Sequence, residues 1–219
     1  MHLELLPLVT KAKAICFDHN DTLVEAVKAE WAQHKYIARK FYGKKLTDVE
    51  LRFHWGKPFT SLLTFLYETT HIDMAMSYNI ATKNRFPKTI FRDTLATLKF
   101  FRKEKKKIGL VTATSLHGLR CDFQQCGIPE NYFDYIQTED DTVFHKPDPR
   151  VFEPTLKWLA ENHIEPFEVV YVGDHLKDAE AAITAGFQFV GVTTGITPAE
   201  EFSKRGIPCV PQLSDLYSQ

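Results

Sequence analysis

The sequence predicts an α/β fold organised around a doubly wound parallel sheet with an inserted helical block. Short apolar runs alternate with longer amphipathic stretches along most of the chain, and polar residues repeatedly close the apolar runs. Alternation of this kind implies βαβ units and a parallel sheet covered on both faces. The stretch 24–87 interrupts the alternation.

Taken in order, Ala14 to Phe17 reads as a short buried strand and Ile108 to Val111 as a second. Tyr135-Ile136, Val169 to Val172 and Phe189 to Val192 supply three more. Helical spacing joins Leu95, Leu98 and Phe101, then runs over Leu116 to Cys126, Val151 to Leu159 and Ala179 to Ala185. Gly127 and Gly186 fall just past two of these patterns, where a left-handed C-terminal residue is wanted. Ile207 to Val210 fits an edge strand, since Pro208 cannot donate to a central ladder. The interrupting stretch holds no strand pattern and many aromatics, with Trp31, Tyr36, Ile37 and Phe41 at helical spacing. Most of those aromatics are expected in a core. The expected domains are therefore an α/β core of residues 1–23 and 88–219 and a helical domain of residues 24–87, within reach of a 219-residue chain.

Composition excludes several classes. With 44% hydrophobic residues, 25% charged residues and a net charge of −1, nothing draws the surface as a whole to nucleic acid or anionic lipid. The basic run Lys103, Lys105, Lys106 and Lys107 reads as a solvated helix end. No apolar run approaches the roughly 20 residues a membrane span needs, and residues Met1 to Thr10 lack the marks of a secretory signal. Cys16, Cys121, Cys126 and Cys209 show no metal-ligand spacing, so a reducing cytoplasm without disulfides is expected. Oligomeric state leaves no mark.

Four residues close separate apolar runs: Asp18, Thr112, Lys146 and Asp174, the last followed by Asp178 at helical distance. Singly, each is an ordinary turn or cap residue. Jointly they matter, because open α/β sheets bind ligands beyond the carboxyl ends of their strands. Asp18 can attack phosphorus and form an aspartyl-phosphate, splitting one displacement into two. Asp18 and Asp174 brought close would repel, and a hard divalent cation, Mg²⁺, relieves that repulsion. Lys146 offers a point charge, Thr112 a hydroxyl, and the amides from Ala113 onward a cradle for phosphoryl oxygens at the start of the next helix.

These residues resemble the haloacid dehalogenase (HAD) superfamily. Its first motif, Asp-x-Asp-x-Thr, is met here by Asp18-His19-Asn20-Asp21-Thr22, followed by Thr112, Lys146 and Gly173-Asp174 with Asp178. The likeness spans nearly the whole chain, and His54-Trp55-Gly56-Lys57-Pro58 and His145-Lys146-Pro147-Asp148-Pro149 are similar to the phosphoglycolate phosphatase and β-phosphoglucomutase-like branch. The resemblance implies a Rossmann-like core with a small helical cap and a Mg²⁺-dependent phosphatase acting on a small phosphorylated metabolite. The implied catalytic set is Asp18, Asn20, Thr112 and Lys146, with Thr112, Ala113 and Lys146 on the phosphate. Asp18, the main-chain carbonyl of Asn20, Asp174 and Asp178 fall to the metal. Selectivity would come from the cap, with Arg52, His54 and Lys57 as candidates.

Two positions depart from the motif. Asn20 stands where the family's phosphatases have the aspartate that protonates the leaving oxygen and activates water, and an amide has no such proton. Asp21 replaces a usual glycine, a change a left-handed turn tolerates in Asp. Asn20 leaves three readings open: a slow or specialised phosphatase, an inactivated one, or a chemistry needing no acid there. A catalytically silent binder of a phosphorylated metabolite or a protein partner is the non-enzymatic alternative. Phosphonatase or dehalogenase chemistry is the enzymatic one. His19, His145 and His175 flank the motifs, and strand alternation predicts that each points away from the site.

Overall fold

The computed structural model describes residues 2–55 and 57–217, so Gly56 of the His54-to-Pro58 stretch lies outside the described residues. The chain divides into two compact units, Met1–Glu25 with Thr89–Gln219, and Ala26–Lys88.

The first unit opens with helix α1 (His2–Lys11), which the sequence patterning did not announce. Strand β1 (Ala14–Phe17) follows, then the two-residue strand β2 (Val24–Glu25). The second unit consists of α2 (Val27–Phe41), α3 (Asp48–His54), α4 (Phe59–Tyr67) and α5 (Ile72–Thr82). Thr47 starts α3 with a reciprocal capping box to Glu50. Back in the first unit, β3 (Thr89–Ile90) pairs antiparallel with β2, a ribbon too short to carry a sequence period.

The rest alternates as expected. It runs α6 (Thr94–Lys103), β4 (Lys107–Val111), α7 (Leu116–Cys126), β5 (Tyr135–Gln137) and α8 (Glu153–Glu161). Then come β6 (Val169–Gly173), α9 (Leu176–Thr184), β7 (Gln188–Val192), α10 (Ala199–Ser203) and β8 (Cys209–Val210). The sheet order is β5-β4-β1-β6-β7-β8, every pair parallel, with β8 at the edge where Pro208 is tolerated. Gly127 ends α7 at φ 66°, as its position predicts.

Strand alternation splits the core. Ile15, Phe17, Val170 and Val172 pack with α1, α6 and α7 on one face. Ala14, Cys16, Tyr171 and Phe189 pack with α8, α9 and α10 on the other. Gly109 is required by close approach, since a Cβ there would sit 2.6 Å from the Cys16 sulfur. Among the described residues no cysteine forms a disulfide.

Two expectations need correction. In the second unit Trp31 and Tyr67 are buried, but Phe53 is 74% exposed, Phe59 48% and Phe65 49%. Helical spacing located the helices without revealing which aromatic face a neighbour covers. The basic run is also only partly solvated: Lys106 donates to the Thr10 and Ala12 carbonyls and Lys107 pairs with Asp134. Among the described residues no helix is long and apolar enough to cross a membrane.

Candidate active site

The site grows from the exit of β1. The Asp18 amide donates to the Val172 carbonyl (2.9 Å), so the strand ladder itself fixes this residue. The chain then turns tightly, with the His19 carbonyl accepting from the Leu23 and Val24 amides. Asp21 takes the left-handed conformation at φ 56°, the geometry its motif position demands. The Thr194 hydroxyl donates to the Asp21 carbonyl and ties this turn to the loop after β7.

Asp174 and Asp178 arrive from β6 and α9. His175 caps α9, its ring accepting from the Lys177 amide (3.0 Å) while Asp178 accepts from the His175 amide (3.0 Å). Asp18, Asp174 and Asp178 each offer a carboxylate oxygen within 4.8 Å of the others, and all three are buried. Lys146 stands among them. Its ammonium lies 2.7 Å from Asp18, 2.7 Å from Asp178 and 2.6 Å from the Tyr171 hydroxyl, which in turn donates to the Val111 carbonyl (2.9 Å).

Charge balance dominates the electrostatics. Burial raises the Asp18 carboxyl, opposed by Lys146 and reinforced by Asp178. Asp174 is pushed well above the usual carboxylate range, by burial first and then by Asp178 and Asp18. Burial alone would lower Lys146, but Asp178 and Asp18 outweigh it and hold its proton firmly. Three buried carboxyls crowd together beside one ammonium, and every ligand atom they offer is a hard oxygen. That donor set fits a hard divalent cation such as Mg²⁺.

Thr112 ends the neighbouring strand. Its amide donates to the Gln137 carbonyl (3.0 Å), and its hydroxyl accepts from the Thr114 amide (3.1 Å). Here one expectation fails: Ala113 does not open a helix, because Ser115 is the N-cap of α7 and Ala113 lies in the preceding turn. Thr112, Ala113, His145 and Lys146 still line one small pocket. Asn20 reaches the same turn, its amide nitrogen donating to the Thr114 hydroxyl at 3.3 Å.

Two of the flanking histidines have partners elsewhere, whereas His145 lines the pocket beside Thr112 and Lys146. His19 is fully buried, with Nε2 3.2 Å from Asp122 and its ring edge-on to Phe123. His145 is exposed, and the His175 ring is engaged by the first turn of α9. Of the second-unit cations, Arg52 lies over Trp31, and Lys57 lies over Phe53 and Phe65 with His54 2.9 Å from its ammonium.

Sequence reading missed two members. Tyr171 sits mid-strand in an apolar run, and only its hydroxyl distinguished it from a core aromatic. Gly195 supplies close approach: a Cβ there would lie 1.8 Å from an Asp174 carboxylate oxygen. The small residues Thr193, Thr194 and Gly195 after the fifth apolar run were the available signal.

With this geometry in place, comparison with known proteins is informative. Residues 15–192 match the family described as haloacid dehalogenase-like hydrolase. The chain belongs to that family. It is 24% identical over 207 residues to the pyrophosphatase PpaX of Bacillus pumilus, covering 93% of this chain and 94% of that protein. It is 24% identical over 202 residues to a phosphorylated carbohydrates phosphatase of Thermotoga maritima, covering 89% and 91%. Among solved structures, a predicted phosphoglycolate phosphatase from Haemophilus somnus superposes with a TM-score of 0.76 at 19% identity, covering 94% of this chain and 96% of the other. That likeness speaks to fold alone. This HAD-like hydrolase thus carries the family's α/β core with the motif residues gathered at the carboxyl ends of β1, β4 and β6.

Proposed function

We propose that this HAD-like hydrolase is a Mg²⁺-dependent phosphatase of a small phosphorylated metabolite, working through an aspartyl-phosphate on Asp18. The observation that carries this reading is the convergence of Asp18, Asp174 and Asp178, two of them paired with the Lys146 ammonium. In this reading residues 1–23 and 88–219 are the catalytic core and residues 24–87 the cap domain. The phosphatase and pyrophosphatase relatives support a phosphorylated substrate. The net charge of −1 supports a small molecule over nucleic acid, and the cysteine spacing supports a reducing cytoplasm.

Asp18, Asp174, Asp178 and the Asn20 carbonyl would hold Mg²⁺. When bound, the ion supplies positive charge against the phosphoryl oxygens and offsets repulsion among the carboxylates. The protein's own groups do the rest. Strand β1 aims the Asp18 carboxylate, and Lys146 orients it through one oxygen. The Thr112 hydroxyl accepts from Thr114, which leaves its proton for a phosphoryl oxygen. The Ala113 amide adds a donor from the turn. Asn20 supports a second reading, a silent protein that binds the phosphorylated metabolite without turning it over, since a lost general acid–base group costs about 10²–10⁴-fold.

The test is phosphate release from p-nitrophenyl phosphate. Asp18→Asn is expected to lower kcat/KM on the order of 10⁴-fold or more while leaving circular dichroism unchanged. Turnover that survives this change defeats the nucleophile assignment. Mg²⁺ is expected to raise the melting temperature of the wild type and not of Asp174→Asn, a readout independent of turnover.

A further inference from the structure

Among the described residues, the ammonium that pairs with Asp18 is fully committed. Lys146 has three ammonium hydrogens and three short partners, Asp18 (2.7 Å), Asp178 (2.7 Å) and the Tyr171 hydroxyl (2.6 Å). The Tyr171 hydroxyl donates onward to the Val111 carbonyl. His19 is fully buried, with Nε2 3.2 Å from Asp122. The His175 ring accepts from the Lys177 amide at the first turn of α9. Asn20 occupies the position two residues beyond the nucleophile, where a donor to the leaving oxygen would stand. Its amide nitrogen is held by the Thr114 hydroxyl at 3.3 Å, so the side chain braces the Thr112–Ser115 turn.

An amide cannot hand over a proton on the timescale of bond cleavage, so departure must not require one. We propose that the core of this enzyme acts on phosphorylated compounds whose leaving group departs as a stable anion, namely phosphoanhydrides, acyl phosphates and aryl phosphates, and spares alkyl phosphate esters. This rests on the phosphatase reading and names the substrate class within it.

The step balances without an acid. An Asp18 carboxylate oxygen forms a bond to phosphorus as the bond from phosphorus to the leaving oxygen breaks. The bonding pair leaves with that oxygen, as carboxylate, phenolate or phosphate. Water then attacks the aspartyl-phosphate, the bond from phosphorus to the Asp18 oxygen breaks, and the pair returns to the Asp18 carboxylate. The proton of the attacking water passes to solvent. A carboxylate leaving group has a conjugate acid near pKa 4 and a phenolate one near 10, by analogy with about 4.3 for Glu and about 10 for Tyr. An alkoxide is far more basic and needs the missing proton. The same absence slows the second step, because nothing at Asn20 takes a proton from water. Covalent enzyme should therefore accumulate.

The experiment compares kcat/KM with Mg²⁺ for acetyl phosphate, inorganic pyrophosphate, p-nitrophenyl phosphate, phenyl phosphate and glycerol phosphate, since kcat/KM reports the first step. In the wild type, glycerol phosphate is expected to fall about 10²-fold or more below acetyl phosphate and p-nitrophenyl phosphate. Asn20→Asp should raise the glycerol phosphate value by about 10²-fold and flatten the series. Intact mass after mixing with acetyl phosphate should show a phosphorylated adduct in the wild type and none in Asp18→Asn. Wild-type cleavage of glycerol phosphate within about tenfold of p-nitrophenyl phosphate overturns the inference while leaving the phosphatase reading intact, because a positioned acid would then be present. Absence of any Asp18-dependent phosphate release from the whole series overturns the phosphatase reading itself. The wild-type series decides the matter even where Asn20→Asp fails to fold.

Discussion

In the second unit Gln33 donates to the Asn79 carbonyl (2.6 Å) and the Thr82 hydroxyl (3.0 Å), while His34 lies 2.7 Å from the Tyr67 hydroxyl. Asn79 completes the group by donating to the Ala75 carbonyl (2.8 Å). In the first unit Asp18 and Asp178 pair with one ammonium, and Asp174 offers a carboxylate oxygen within 4.8 Å of theirs. Both clusters are buried and polar, yet the first kind is neutral and satisfied pairwise, and burial holds His34 down to about pKa 4 so that it stays uncharged. The second kind crowds three carboxyls in a low-dielectric interior, where burial and mutual repulsion push Asp18 and Asp174 upward, an arrangement folding alone has no reason to favour. Satisfied neutral polarity builds the fold, whereas crowded carboxyls mark a place kept for a ligand.

That contrast can be broken. Lys146→Met removes the only ammonium that pairs with the carboxylates among the described residues. It is expected to cost about 3–5 kcal/mol of metal-free stability in urea melts, the scale for leaving buried charge unpaired. A loss under about 1 kcal/mol would show that the carboxylates simply take up protons, and the contrast would shrink.

The neutral cluster makes the opposite kind of prediction. His34 has a folded pKa below its unfolded value near 6.5, so the unfolded chain binds the extra proton and stability falls as pH drops below about 6.5. Between pH 7 and pH 5 the loss should be about 2 kcal/mol, since each pKa unit is worth about 1.4 kcal/mol. Thermal melts of wild type and His34→Gln check this: the variant should lose that slope, and an unchanged slope assigns the proton uptake elsewhere.

Gly195→Ala sharpens the comparison from the loop after β7. The added methyl would meet Asp174, and Mg²⁺ affinity read from melting-temperature titration should weaken by about 10–100-fold, the cost of disturbing a residue that positions a metal ligand. Undiminished affinity would remove Asp174 from the metal set. The smallest effect is a gain. Asp174→Asn relieves repulsion and should raise metal-free stability by about 1 kcal/mol, or about 2–4 °C for a chain of this size. A fall instead would mean that the Asp174 carboxyl is protonated and hydrogen-bonded in the resting fold.

Much of this was legible in the chain itself. Ala14–Phe17, Lys107–Val111, Tyr135–Gln137, Val169–Gly173 and Gln188–Val192 all lie where apolar runs predicted strands, because burial on both sheet faces leaves a local compositional mark. The motif residues were readable for a related reason, since a polar group that ends a buried run stands out from its neighbours. The left-handed turn at Asp21 followed from its motif position. Features set by distant partners left no such mark. The β2–β3 ribbon joins residues far apart in sequence, so neither half shows a period.

The exposure of Phe53, Phe59 and Phe65 depended on which helix faces found neighbours, a choice helical spacing does not encode. Tyr171 and Gly195 entered the site in the same way. One is a core aromatic whose hydroxyl happens to reach Lys146, the other a glycine whose missing Cβ leaves room for Asp174. Even the engagement of Asn20 with Thr114 needed the fold, because it joins two turns that leave neighbouring strands. Amino-acid order determined the strands, the motif residues and the lack of an acid at position 20. Tertiary structure alone decided that three buried carboxylates gather and that two of them pair with one lysine. Hydrogen bonds and charge balance depend on distances between segments that the local pattern of a chain cannot record.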